Sequence, residues 1–148
     1  MKSLFLKLAK LCLILLVIGI PIAGSAQYRT EVLKQLKVIE AAVALELGYA
    51  LEPSHDVYYV NLHNNRYQDV EYTLQAGESY VFIGACDYDC SGLQLKLYDG
   101  YYKLITTGKQ GYLPFVSTTV GKSGVFYLRV IMNGCKIEPC WAGIGAYK

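Results

Sequence analysis

The residues best able to do chemistry are four cysteines in two close pairs, Cys86 with Cys90 and Cys135 with Cys140, at C-x3-C and C-x4-C spacing. Four thiolates so arranged form either two disulfides or a tetrahedral zinc set, and the redox compartment decides between them. Between the first two lie Asp87, Tyr88 and Asp89. Asp87 and Asp89 are the candidate calcium ligands, but calcium takes six to eight oxygens and two carboxylates fall short of that. The competing expectation is a solvated loop in which the Asp side chains bond their own turn.

Other chemistry is thinner. His55 and His63 have no Cys or Glu at metal-ligand spacing, and no serine sits in a G-x-S-x-G turn. Gly121-Lys122-Ser123 imitates the end of a phosphate loop, but Val116 stands where that loop needs glycine. A hairpin turn is expected there. Gly143-Ile144-Gly145 comes too near the C-terminus for a dinucleotide-binding helix to follow; it is expected to give a strand small residues where a neighbour packs closely. Tyr58, Tyr101, Tyr102, Tyr112 and Trp141 offer flat amphipathic rings to a sugar or a protein partner. Loop placement favours recognition at Tyr101, Tyr102 and Tyr112.

Compartment follows from the N-terminus. Lys2, Lys7 and Lys10 precede an apolar block over residues 11–22, and Ala23-Gly24-Ser25-Ala26 supplies small residues. This pattern predicts a signal peptide over residues 1–26, cut after Ala26, and an exported product, periplasmic or extracellular. The block is too short for a stable membrane span. Cys12 leaves with the leader, so residues 27–148 keep an even cysteine count, and two disulfides become the default over zinc. Local pairing closes loops worth about 2 kcal/mol each, whereas cross pairing would close loops of about 50 residues worth about 4 kcal/mol each. The position of both pairs just after predicted strands favours local pairing and leaves the others open.

The elements that must position these groups are a helix and then strands. Val32, Leu36, Ile39, Val43 and Leu47 recur at helical spacing, with Thr30 as cap and Gly48 as stop, predicting an amphipathic helix over about 30–48. Leu33, Val38 and Leu45 widen its apolar face, and its charges mix both signs. Docking on the protein's own surface is expected rather than on a membrane. Beyond it the period becomes two. Strands are predicted at 70–74, 80–85, 93–98, 115–120 and 125–132, with weaker ones at 57–62, 102–106 and 142–147. Asn64-Asn65, Ala76-Gly77, Asp99-Gly100, residues 121–124 and Asn133-Gly134 mark the turns. In the strand over 125–132, Phe126, Leu128, Val130 and Met132 share the core face, and Tyr127 and Arg129 the wet one. Residues 27–148 read as one all-β antiparallel sandwich in two layers, with one N-terminal helix.

Losing the leader's three lysines takes 14 Lys and Arg to 11, against 12 Asp and Glu, too even a balance for a nucleic-acid partner. Two stretches, residues 76–99 around Cys86-Asp87-Tyr88-Asp89-Cys90 and residues 124–144 around Leu128-Arg129-Val130 and Cys135 to Cys140, resemble the bacterial pre-peptidase C-terminal domain in a cysteine-bearing variety. The resemblance spans about residues 72–147. It implies a jelly-roll-like sandwich and an exported, non-catalytic module of the kind that assists secretion or binds matrix or substrate. The chain departs from that pattern at Gly92-Leu93-Gln94-Leu95, where relatives carry acids, and its loop from Thr107 to Tyr112 has no acid either. The sequence therefore points to a binding or accessory module with an unknown protein or carbohydrate ligand, no cofactor and no enzymatic activity. A structural envelope protein docking a partner through the helix is the alternative, and a hydrolase the distant third.

Overall fold

The computed structural model describes residues 23–108 and 113–148; the predicted leader residues 1–22, with Cys12, and the candidate Tyr112 lie outside them. One helix, α1 (Ala23–Leu47), precedes eight strands: β1 (Pro53–Leu62), β2 (Arg66–Leu74), β3 (Ser79–Cys86), β4 (Cys90–Asp99), β5 (Leu104–Thr107), β6 (Phe115–Thr119), β7 (Gly124–Cys135) and β8 (Cys140–Tyr147). They form two four-stranded sheets ordered β1-β8-β3-β6 and β2-β7-β4-β5, antiparallel at every pair. Successive strands cross between sheets except at β4–β5, the interleaving of an eight-stranded jelly roll. The fold class is the expected sandwich with an N-terminal helix.

Alternation builds the inter-sheet core. Leu93, Leu95 and Leu97 of β4 and Leu128, Val130 and Met132 of β7 point inward against Tyr80, Phe82, Ala142 and Ile144 of the other sheet, all at most 2% exposed. A second core lies on the far side of β1-β8-β3-β6. There Val32, Leu36 and Val43 of α1 are buried against Val81, Ile83, Ala85 and Tyr147. Burying each of those helix side chains contributes about 1.5–3 kcal/mol, far more than intrinsic helix propensity supplies. The protein is thus three layers deep on that side, and β3 and β8 are buried on both faces, unlike β4 and β7, which keep the expected core face and wet face. We call this the covered sheet and β2-β7-β4-β5 the bare sheet.

Four local expectations are corrected. The helix begins at Ala23, and Thr30 is not its cap: its hydroxyl donates to the Ala26 carbonyl one turn back, at 3.0 Å. Leu33, Val38 and Leu45 stay exposed, so the docked stripe is narrower than the sequence indicates. Gly121-Lys122-Ser123 turns between sheets, not within a hairpin, because β6 and β7 do not pair. Asn133-Gly134 is no turn either; it continues β7 opposite Gly92, where the register slips. Gly48 does stop the helix, at φ 80°, its amide donating to the Ala44 carbonyl at 2.9 Å.

Both disulfides pair locally, Cys86–Cys90 and Cys135–Cys140. They sit side by side at one end of the sandwich, since Cys90 faces Cys135 across β4 and β7. The β1–β2 turn clamps them. Asn64 exchanges two bonds with the Cys135 backbone, and Glu138 accepts the Asn64 amide at 3.2 Å and contacts His63 Nδ1 at 2.8 Å.

Two predictions follow from this packing. A Cβ at Gly143 would lie 2.6 Å from the stiff Val32 Cγ1, so Gly143→Val is expected to lose about 1–3 kcal/mol in urea unfolding by lifting α1. Gly124→Ala, which meets nothing within 4 Å, should stay within about 0.5 kcal/mol; equal losses would refute the close-approach account. Separately, His63 and then the Asn64 amide hold the Glu138 carboxyl below its ordinary value of 4.5. A depressed folded pKa stabilises above the unfolded value and fades as pH falls through the folded one. The stability advantage of the wild type over Glu138→Gln should therefore shrink as pH drops below 4.5; an advantage undiminished in acid contradicts the clamp.

Candidate functional site

With α1 on the covered sheet, the outer face of the bare sheet is the broad surface left to solvent, and its side chains are set by strand period and register. On β2 the outward residues are Tyr67, Asp69 and Glu71; on β7, Tyr127, Arg129 and Ile131; on β4, Gln94, Lys96 and Tyr98. Arg129 lies opposite Asp69 on one side and Lys96 on the other, and Tyr127 opposite Glu71 and Tyr98. Asp69 takes the guanidinium as a fork, Nε to Oδ1 at 2.7 Å and Nη2 to Oδ2 at 2.8 Å. These bonds raise the Arg129 pKa above its already high ordinary value. The same guanidinium lies 4.0 Å from the Tyr67 ring centroid and 5.0 Å from that of Tyr98. Such cation–π contacts contribute about 0.5–1 kcal/mol each where solvent reaches them.

Tyr102 completes the group from the β4–β5 hairpin. Its ring stacks on Tyr127 with centroids 4.5 Å apart and planes 7° from parallel. The backbone delivering it has φ 60°, a left-handed conformation that costs a bulky residue about 1–2 kcal/mol. Asp99 supports the turn by accepting the Tyr101 and Lys103 amides, each at 2.9 Å, on one carboxylate oxygen. Desolvation, then the nearby Asp69 carboxylate, push the Tyr102 phenol up. Tyr101, 94% exposed, stands at the tip, beside an open groove of about 490 Å³ shared with Lys122, Ser123 and Phe126. The result is a semi-rigid surface of half-exposed rings with one fixed cation. Chemically it can stack a flat ligand and donate hydrogen bonds from the phenols; it holds no assembled nucleophile.

The other predicted residues fall elsewhere. Trp141 lies on the helix side of β8, half-buried, with the Arg29 guanidinium 5.9 Å from its ring, so it belongs to the seam beneath α1 and not to the surface of Tyr101 and Tyr102. Tyr58, 39% exposed, is on the edge strand β1 of the covered sheet. His55 is half-buried in β1, contacting Ser54 Oγ at 3.0 Å and meeting Tyr72 edge-on at 5.1 Å. His63 contacts Glu138, a partner too distant in sequence for motif spacing to reveal. Asp87 departs from the solvated-loop expectation: it is 6% exposed, and its Oδ2 accepts the Trp141 amide at 2.9 Å. Asp89 is half-buried, and its carbonyl accepts the Lys136 amide at 2.7 Å. Among the described residues, no group of three His, Cys, Asp or Glu comes together as a metal site.

Sequence reasoning missed Tyr67, Asp69 and Tyr98 as members of the surface. The signal for them was the outward set of each strand, which had already grouped Tyr127 with Arg129. No family model matches the chain, and no curated protein matches it.

The Arg129 arrangement is testable as a unit. A double-mutant cycle on Asp69→Ala and Arg129→Ala should return a coupling of about 1–2 kcal/mol, since both groups are mostly shielded and the fork is bidentate. Arg129→Lys, which cannot make the fork, should lose most of it in chemical denaturation. Coupling near zero would reduce the pair to an ordinary surface contact.

Proposed function

We propose that this chain is an exported, non-catalytic recognition module that binds carbohydrate across the outer face of its bare sheet. The observation that carries the reading is the Tyr102–Tyr127 stack beside an Arg129 fixed by Asp69, Tyr67 and Tyr98. Rings held by neighbours lose little rotamer freedom on binding, so their stacking energy is not spent on ordering them. Tyrosine gives a flat apolar face and a hydroxyl together, which suits a sugar ring, apolar on its faces and polar at its edge. A protein partner fits the same surface less well, because its anchors need a desolvated pocket and these rings lie level with a charge pair.

Export is supported by the leader pattern and by two disulfides, which persist in oxidising compartments. The resemblance to the pre-peptidase C-terminal domain implies a sandwich of this kind and a non-catalytic role. Among the described residues no helix is long and apolar enough to cross a membrane. The alternative, partner docking through the helix, loses ground because Val32, Leu36 and Val43 are already occupied against the covered sheet.

The test is affinity electrophoresis of the exported protein through gels containing soluble polysaccharides, among them a cellulose ether, xylan, glycol chitin and mannan. Retardation by at least one is expected. Tyr102→Gly, which suits the left-handed backbone, and Arg129→Ala should each weaken it by about tenfold, roughly 1.4 kcal/mol, with unchanged circular dichroism. Retardation by none, or retardation of both variants equal to that of the wild type, overturns the reading.

A further inference from the structure

Charge is spread unevenly over the outer face of the bare sheet, and the unevenness selects among carbohydrates. The outward acids Asp69 and Glu71 both stand on β2, whereas the outward charge of β4 is the cation Lys96. Register sets Lys96 directly opposite Arg129 on β7, with Thr107 of β5 on its other side. Like charges directly opposite across antiparallel strands repel. No acid answers this pair on the β4 side: Asp69 bonds Arg129 from β2, and among the described residues Lys96 makes no ion pair.

Both cations keep donors to spare. Asp69 takes the guanidinium through Nε and Nη2. A guanidinium is planar, so Nη1 lies on the edge turned away from that fork, and Asp69 is the group's sole hydrogen-bond partner among the described residues. Lys96 adds a half-buried ammonium on a flexible stem. The rings of Tyr98 and Tyr127 stand in the next outward row, two residues or about 7 Å along the strands. Lys103, exposed beside Tyr102 in the hairpin, puts a further cation on the β4 side, while Glu71 lies opposite Tyr127 on β2 and repels an anion there.

We propose, resting on the carbohydrate reading, that the sugar recognised is a uronic acid, its carboxylate held over β4 and β7 by Lys96 and Arg129 and its ring against Tyr98, Tyr127 and Tyr102. A uronic acid carries its carboxylate one bond from the pyranose ring, so charge and ring fall within the span of adjacent rows. Lys96 is then the residue that selects the acidic sugar over its neutral counterpart. The attraction is local, because the 11 Lys and Arg left without the leader face 12 Asp and Glu and give no general pull on polyanions.

The probes are polygalacturonate and alginate, each paired with a neutral ester, methyl-esterified pectin and propylene glycol alginate, and titrated into the exported protein by calorimetry in about 0.15 M salt. At least one uronate should bind at least about tenfold more tightly than its ester, and more tightly than dextran sulfate, a polyanion without carboxylates. Lys96→Gln should bring the preference for acid over ester below about threefold, and Lys96→Arg should retain it, with circular dichroism unchanged in both. Dextran sulfate binding as tightly as the uronate, or a Lys96→Gln variant with its full preference, overturns the proposal. Equal binding of acid and ester, or retardation by a neutral polysaccharide when neither uronate binds, overturns it while the carbohydrate reading stands. Binding of no polysaccharide, acidic or neutral, overturns both.

Discussion

The docking of α1 on the covered sheet is the contact on which the rest of the molecule depends. A sandwich has two outer faces, and each must be either polar or capped. Val81, Ile83, Ala85 and Tyr147 make the outer face of β3 and β8 apolar, so without the helix those strands would present a broad apolar surface to water. The helix has the complementary need, because a single amphipathic segment is marginal in water until its stripe is buried. Their union explains why β8 can be built from small residues. Gly143 admits Val32, and the nearby Tyr147 hydroxyl donates to Glu40 at 3.1 Å, a polar bond inside an otherwise apolar seam.

Capping one face assigns the other its role. The bare sheet keeps polar and aromatic outward residues on three adjacent strands, and register turns them into a patterned surface. Arg129 illustrates how little freedom that leaves. A lone arginine on a strand would sample many rotamers at a cost approaching about 2 kcal/mol to fix. Here Asp69 takes the fork while the Tyr67 and Tyr98 rings lie close to the guanidinium, so the side chain is ordered before any ligand arrives. Tyr102 is ordered differently, by a strained backbone whose cost the Asp99-braced turn and the stack on Tyr127 offset.

The sequence made these features legible to different degrees for physical reasons. The strands β4 and β7 could be read because each has one buried and one solvated face, which writes a period of two into the residues. β1 was faint, since bulges between Pro53 and Tyr58 interrupt its alternation, and β5 because it is a short, exposed edge. The start of α1 was obscured by residues suited equally to a processing site and a first helical turn. At the candidate surface, Tyr102 was visible as a loop aromatic, whereas the Asp69–Arg129 pair joins positions 60 residues apart and needs the β2–β7 register. Asp87 looked like a turn acid because sequence cannot show that Trp141, 54 residues later, passes over it.

Distance keeps the two ends of the sandwich from interfering. β4 links them, and its ten residues span about 33 Å of extended chain. At one end both disulfides, the Asn64 clamp and the buried Asp87 fix the loops; at the other, the Asp99 turn presents Tyr101 and Tyr102. Perturbations normally decouple beyond about 10 Å unless a shared element has two arrangements. The strand between them pairs with β7 from Cys90 to Asp99 and with β5 over Lys96 to Tyr98, and it packs Leu93, Leu95 and Leu97 into the inter-sheet core. A strand so held is a stiff spacer, and that stiffness sets the cystine end apart from the tyrosine surface.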